Sequence, residues 1–421
     1  MSAVTPIVQN GKVSFIKKIL IFILLVVNFL MFIRVSFLGR DFQVGLYSYL
    51  VFFIFLPLLI KCFISKLSIR SIRYNPLLAS FLLFVFFEIF SVIFYFANDI
   101  TYIGISKTDN FEYNLLNCVV FILLPQVVFF IFGFLVNING LSFVRRINTF
   151  FIFIGLLLFF FRPFRYQEYL NSLYGFGDGY LDNLRFLGIL DNSMAMGSLA
   201  LILTILYLFS SELKVEIGKY ERYLVAFPIL AVFLCLQRSA IGLLFIMLVL
   251  YSFYEMRRFS LKKIFFIIIF CLCLFAFIYY DYESILASNV LLRLQSISSG
   301  FDRFNSISQI YDVSTTLLLG LGLGASSHKG ELWSAIHFFD NNYFRILSDL
   351  GLLGFMLFLS ILLFAIERAF TKNSIFSLAV IVLYIIQAAF TNVFDLFYSS
   401  FFFWYIIGLL SYCPHAYRRN L

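Results

Sequence analysis

Charge is scarce in this chain. Only 13% of its 421 residues are Asp, Glu, Lys or Arg, against the quarter or so usual in soluble domains. That shortage excludes a soluble globular domain and a solvated disordered chain. Glycine, at 22 residues, is too rare for a collagen-like fibre. Cysteine is sparse: Cys62, Cys118, Cys235, Cys271, Cys273 and Cys413 all fall in apolar segments or at their ends. Cys271 and Cys273 form a C-x-C that is not a zinc spacing, so neither a metal site nor a disulfide is expected. What is abundant is apolar surface. Hydrophobic residues make up 62%, phenylalanine alone supplies 60 positions, and the mean hydropathy is +0.98. A chain of this size has too little interior to hide so many rings, and lipid is the second solvent that accommodates them.

A bilayer-spanning helix needs about 20 apolar residues. Twelve such spans are predicted, at 17–37, 45–64, 77–97, 114–136, 148–162, 193–211, 223–237, 239–254, 264–281, 345–366, 375–391 and 397–412. The first is read as a membrane helix rather than a cleaved signal peptide, because Arg34 follows it and no small-residue cleavage site does. The whole chain, 1–421, reads as one integral membrane domain: all-α, a polytopic helix bundle. The seventh and eighth spans form a tight hairpin whose tip carries Gln237 and Arg238.

The net charge of +9 reads as topology rather than as a nucleic-acid footprint. With the N-terminus inside, 20 of the 31 basic residues fall on the inner side and every inner connection is net positive or neutral. Both termini are therefore expected in the cytoplasm. Nine of the eleven basic residues left over are arginines. Arginine offers a planar fork to phosphate or carboxylate, and it also pairs readily with loop acids.

Two outer loops are long. The first, 163–192, contains Gly-Phe-Gly-Asp-Gly and then Arg185. The second, 282–344, is expected to lay two amphipathic helices, 284–299 and 301–312, on the outer face of the bundle. Gly320, Gly322 and Gly324 follow. They can present backbone N–H groups to an anion or simply form a turn. No Gly-Lys-Ser/Thr follows them and no strand–helix unit surrounds them, which excludes a Walker loop and a dinucleotide fingerprint. Asp340-Asn341-Asn342-Tyr343 stands at the mouth of the tenth span. It can supply a general base with orienting amides, or cap the helix. His337 is three residues upstream. Gly351 and Gly354 are read as allowing close packing of the tenth span. Glu88, in the middle of the third span, is a functional hypothesis by its depth, with Arg34 as its expected partner or a structural ion pair as the alternative.

The order of these features carries a resemblance. Arg185-x-x-Gly188-x-x-Asp191-Asn192 comes first, then the tip Gln237-Arg238-Ser239-Ala240. Arg293 and Arg303 follow in the long loop, then Leu-Gly-Leu-Gly-Leu-Gly, then Asp340-Asn341-Asn342-Tyr343 ahead of Leu-Gly-Leu-Leu-Gly. This resembles the O-antigen polymerase and ligase family of bacterial membrane glycosyltransferases, over roughly residues 162–364. The resemblance implies a helical fold of the GT-C type in the inner membrane, with its site on the periplasmic face and no metal or cofactor. The implied substrate is an oligosaccharide on undecaprenyl pyrophosphate. A polymerase moves the growing glycan onto a new lipid-linked repeat unit; a ligase moves it onto lipid A core. A chain-length regulator and a flippase are the partners it brings.

By position, Arg185, Arg238 and Arg303 match the family's pyrophosphate-binding arginines best, and Arg293 less well. Asp340, with His337 as second choice, is the implied base, and Asn341, Asn342 and Tyr343 would position substrate. The ligases resemble one another in a His-Asn pair where this chain has Asp340-Asn341, so polymerase is favoured over ligase. The chemistry is consistent. A glycosyl pyrophosphate already carries a good leaving group, so fixed positive charge and one base suffice. A lipid-linked oligosaccharide flippase or transporter is the rival of a different class. It is disfavoured by few mid-span charges and no repeat between halves.

Overall fold

A computed structural model describes residues 34–37, 40–43, 57, 59–65, 67, 72, 74–97, 118–136, 139–161, 186, 193–210, 221–235, 237–255, 318–320, 322–324, 341–391, 393–394 and 397–412, some of them, Arg238 included, by backbone alone. Residues 17–33 of the first predicted span (17–37), 45–56 of the second (45–64), the whole span 264–281, both amphipathic helices, and Arg185, Arg293, Arg303, His337 and Asp340 lie outside these residues.

Two short strands, β1 (Arg34–Phe37) and β2 (Arg40–Gln43), pair antiparallel with Arg34 opposite Gln43 and Phe37 opposite Arg40. The other described elements are helical, and β1 stands where the predicted first span, 17–37, expected helix. Arg34-Val-Ser-Phe reads locally as a strand, with β-branched and aromatic residues alternating, and two residues, Leu38 and Gly39, separate it from its partner.

The helices are α1 (Pro76–Ala97), α2 (Leu124–Val136, preceded by a π turn at Val119–Leu123), α3 (Asn139–Phe161) and α4 (Ser193–Leu208). A 3₁₀ turn, Glu221–Val225, then leads into α5 (Ala226–Leu234). After it come α6 (Arg238–Glu255), α7 (Asn342–Thr371), α8 (Ile375–Ala388) and α9 (Phe397–Ser411). Among the described residues, α1 and α7 are long and apolar enough to cross a membrane, and six other apolar helices are shorter. Local sequence explains the ends. Asn75 caps α1, its side chain accepting from Leu78 N at 3.3 Å, and Pro76 follows at the first helical position, where a missing N–H costs nothing. Ser374 caps α8 in the same way.

Each face of α1 has its own solvent. Leu77, Phe81, Phe84, Glu88 and Ser91 recur at helical spacing and are buried; Leu83, Phe86, Phe90 and Ile93 recur on the opposite side and are exposed. A helix apolar on both sides fits protein on one and lipid on the other. α1 packs along α7, and α2 packs along α9. The α2–α9 contact is glycine-mediated. A Cβ on Gly133 would strike the Tyr405 carbonyl, and one on Gly408 would strike that of Phe130, so the two backbones approach as closely as small residues permit. The phenylalanines fill the centre: Phe81 stacks on Phe130, and Phe358 meets Phe84, Phe394 and Phe403.

At one end of the bundle the basic residues are fastened to helix termini. Lys372 Nζ donates to the carbonyls of Leu409, Leu410 and Tyr412 at the end of α9, and Arg368 donates to Tyr74 O. The three α9 carbonyls are acceptors a helix C-terminus leaves open, whereas Tyr74 O lies just ahead of α1. Arg145 and Arg146 share Glu221 at 2.6 and 2.9 Å, and buried Arg145 also lies over the Tyr207 ring at 4.8 Å.

α7 is not one straight helix. Gly351, at φ 63 and ψ −168, breaks it. Gly351 also packs closely, as the sequence reading expects, a Cβ there striking Gly320 N and Leu318 O, and Gly354, under Leu350 and against Phe87, sits at the α1 contact.

Candidate active site

Opposite the Lys372 end, several chain segments meet. Helices α4, α6, α7 and α9 start there; α5 and α8 finish there. Gln237, at the hairpin tip, donates to Thr391 Oγ1 at 3.3 Å, and its Oε1 rests against Gly197 near the start of α4. Gln387 donates to Ser198 Oγ at 2.6 Å. Phe186, the residue after Arg185, donates its N–H to Leu234 O at 2.9 Å and accepts from Cys235 Sγ through its own carbonyl. The end of α5, two residues before the tip, is thus bonded to the residue that follows Arg185 in sequence. The tip itself, through Gln237, is bonded to the turn at 391–394.

That turn reaches the mouth of α7. Phe394 N donates to Asn342 Oδ1 at 3.3 Å. Asn341 caps α7, accepting from Tyr343 N at 3.0 Å and Phe344 N at 3.1 Å. Tyr343 donates its hydroxyl to Ile385 O at 2.7 Å, which ties α7 to α8. The side-chain oxygen of Asn341 and the hydroxyl of Tyr343 are therefore engaged with backbone. Asn342 is fully buried, and its Nδ2 has no hydrogen-bond partner among the described residues. Of the predicted site residues, Arg238, Asn341, Asn342 and Tyr343 fall among those described. Arg238 is the first residue of α6, its backbone at the N-terminus. Four helix N-termini at one end of the bundle create a positive local field suited to an anion.

One layer below the mouth lies a cluster that the sequence reading missed except for Glu88. Gln126 Nε2 donates to Glu88 Oε1 at 3.1 Å, and Arg345 is within electrostatic range of the same carboxylate. Gln126 and Arg345 are its partners among the described residues; the side chain of Arg34 lies outside them. Glu88, Gln126, Arg345 and Asp349 line a cavity of about 10 Å³ with Leu323, Phe394 and Trp404, room for about one water. Glu88 Oε2, Gln126 Oε1 and Trp404 Nε1 are buried without a hydrogen-bond partner among the described residues. Arg345 and Asp349 stand four residues apart in an apolar run, and that spacing, one face of one helix, is the signal that could have found them.

The glycine segment is not an open anion cradle. Gly322 N donates to Asp349 O at 2.8 Å and Gly324 N to Asp349 Oδ2 at 3.0 Å, so both N–H groups are occupied by α7. The segment also lies deeper than an outer loop would: it reaches the second and third turns of α7, not its mouth. In an unbroken helix Leu353 N would donate to Asp349 O. Here Leu353 N donates to Leu318 O at 3.3 Å, and Asp349 O accepts from Gly322. The loop takes up both groups that the break at Gly351 releases. Irregular backbone at membrane depth is tolerated where protein covers it, and Gly320, Gly322, Leu323 and Gly324 are all buried.

A family model described as the Alg9-like mannosyltransferase family matches residues 188–286. The match covers less than a quarter of the 421 residues and takes in α4, α5, α6 and the Arg238 tip. The class it supports is a membrane glycosyltransferase. No curated protein matches the chain.

Proposed function

We propose that this protein is a bacterial inner-membrane polymerase of lipid-linked oligosaccharide repeat units. Its site lies at the end of the bundle where the Arg238 tip meets the mouth of α7. The growing glycan leaves undecaprenyl pyrophosphate and joins a hydroxyl of a lipid-linked repeat unit. The bond from the anomeric carbon to the pyrophosphate oxygen breaks and a bond from that carbon to the acceptor oxygen forms. The acceptor proton passes to a base and the pyrophosphate departs with the electron pair. A single in-line displacement inverts the anomeric centre.

The observation that supports this reading is that the α5–α6 hairpin is bonded through Leu234 and Cys235 to Phe186, and through Gln237 to Thr391, in the turn whose Phe394 holds Asn342. Arg185 and Arg238, both assigned to the pyrophosphate, are sequence neighbours of residues in this bonded set, Phe186 and Gln237. The α4, α6, α7 and α9 N-termini add to the field that would stabilise the leaving group. Arg303 and Arg293 are assigned to the same group, and Asp340, or His337, to the base. Asn341 and Tyr343 serve by holding the mouth, and Asn342 offers its amide. Lipid A core as acceptor would make the protein a ligase; the Asp340-Asn341 pair favours the polymerase.

The match to mannosyltransferases favours one further reading, the addition of single mannosyl residues. Purified protein in liposomes with synthetic undecaprenyl-pyrophosphate repeat units separates them. A ladder of whole repeat units is the expected product. Repeat units returned unchanged, together with single-sugar extension from a mannosyl donor, would overturn the polymerase assignment. A second run with EDTA tests the expected metal independence.

A further inference from the structure

We propose that Asp349 is a positioning residue: its carboxylate latches the buried glycine segment onto α7, and so fixes the direction in which the first two turns of α7 present Asn341, Asn342 and Tyr343. The proposal rests on the polymerase reading for the role of that mouth, but the latch itself stands on geometry alone.

Three of the hydrogen bonds that join the segment to α7 bear on the latch. Two are backbone bonds, Gly322 N to Asp349 O and Leu353 N to Leu318 O, and neither depends on any side chain. The third, from Gly324 N, is the one a side chain controls, and its acceptor is the Asp349 carboxylate. A bond to an ionised acceptor is about twice as strong as a neutral one. It lies at the far end of the segment from Leu318, so it decides whether the strip is held at one end or both.

The segment is seated on two sides. Gly320 packs so closely on Gly351 and Asp349 that a Cβ there would collide with their backbone. Gly324 packs on Cys118 and Ile122, at the π turn that opens α2. With the strip in place Cys118 is fully buried. The broken turn at Gly351 leaves the 342–350 part of α7 without a continuous helical ladder to the rest. Its direction is then set by what occupies the released groups, and the strip occupies them.

Cys118 gives a readout independent of catalysis. In reconstituted full-length protein, labelling of Cys118 by N-ethylmaleimide is followed by site-resolved mass spectrometry, beside steady-state transfer with synthetic repeat units. Asp349→Ala removes the acceptor and should raise the labelling rate of Cys118 about 10-fold or more, the range for losing a bond to a charged group. Asp349→Asn retains an acceptor oxygen and should stay within about threefold of the parent, with transfer restored relative to alanine. Gly320→Ala, which prises the strip off α7 with the carboxylate intact, should expose Cys118 as Asp349→Ala does, and it serves if the alanine variant fails to fold. Cys118 staying covered in both Asp349→Ala and Gly320→Ala would overturn the latch. So would asparagine behaving as alanine does in both measurements. Cys118 covered in the parent and exposed in both variants, with a parent protein that transfers no repeat units, would leave the latch standing and overturn the polymerase reading.

Discussion

Replacing Gly351 by alanine asks whether the break in α7 belongs to the helix or to the strip beside it. At φ 63 and ψ −168 the residue occupies a region open essentially to glycine alone, and a side chain there costs about 1–3 kcal/mol. The added Cβ would also collide with Gly320 N and Leu318 O, both backbone atoms with little room to yield. If the strip lifts away, two neutral hydrogen bonds of about 0.5–1.5 kcal/mol each are lost, and one to a carboxylate of about 1.5–3 kcal/mol. Both routes converge near 3 kcal/mol, about 100-fold in the seating equilibrium of the strip. Thermal unfolding in nanodiscs should shift downward, and Cys118 should label faster by a factor of that order. Gly242→Ala is the matched control: its Cβ meets nothing within 4 Å inside α6, so the same substitution should be neutral or stabilise by up to about 1 kcal/mol. A Gly351→Ala protein that melts with the parent and keeps Cys118 covered would refute this account of the kink.

The other predictions follow from contacts of different kinds. Arg145→Ala should destabilise by about 3–5 kcal/mol, because buried Arg145 pairs with Glu221 and covers the Tyr207 ring; Arg146→Ala, at the exposed end of the same carboxylate, should cost less than about 1 kcal/mol in the same melts. Gly133→Val places a side chain against the Tyr405 backbone and should loosen the α2–α9 pair by at least about 1–3 kcal/mol, seen as a lower melting temperature. Arg238→Ala should reduce polymer in cells about 100-fold or more at unchanged protein level, read on a glycan gel; full-length polymer from this variant would remove Arg238 from the site.

Much of the helical frame was legible because hydropathy is a local property. The third and twelfth predicted spans illustrate it: 77–97 became Pro76–Ala97 and 397–412 became Phe397–Ser411, and Asn75-Pro76 and Ser374 mark where α1 and α8 start. The fifth span begins at Asn139 rather than 148 because Arg145 and Arg146 sit on helix all the same, neutralised by Glu221 from a different connection. What hydropathy could not reveal depended on pairs distant in sequence. The strip at 318–324 looks like any glycine turn until Asp349 and Leu353 are seen beside it. Glu88 was suspected from its depth, yet Gln126 and Arg345 reach it from helices that no periodicity links to α1. The candidate site divides the same way. Arg238 and the Asn341–Tyr343 run were found as motifs, whereas Gln237, Thr391, Ser198 and Gln387 are ordinary polar residues at helix ends. Their meaning comes from the partners they find.

The strip has a further consequence for how the protein is made. Residues 318–324 leave the ribosome before 349–353, the stretch that receives them. Until α7 has entered the bilayer, those peptide groups have no protein partner at that depth and must stay in water. The broken turn of α7 is in the same position, its freed groups unsatisfied until the earlier segment folds back. The hydrogen bonds that join the two stretches can therefore form only once α7 has been made, later than the loop itself.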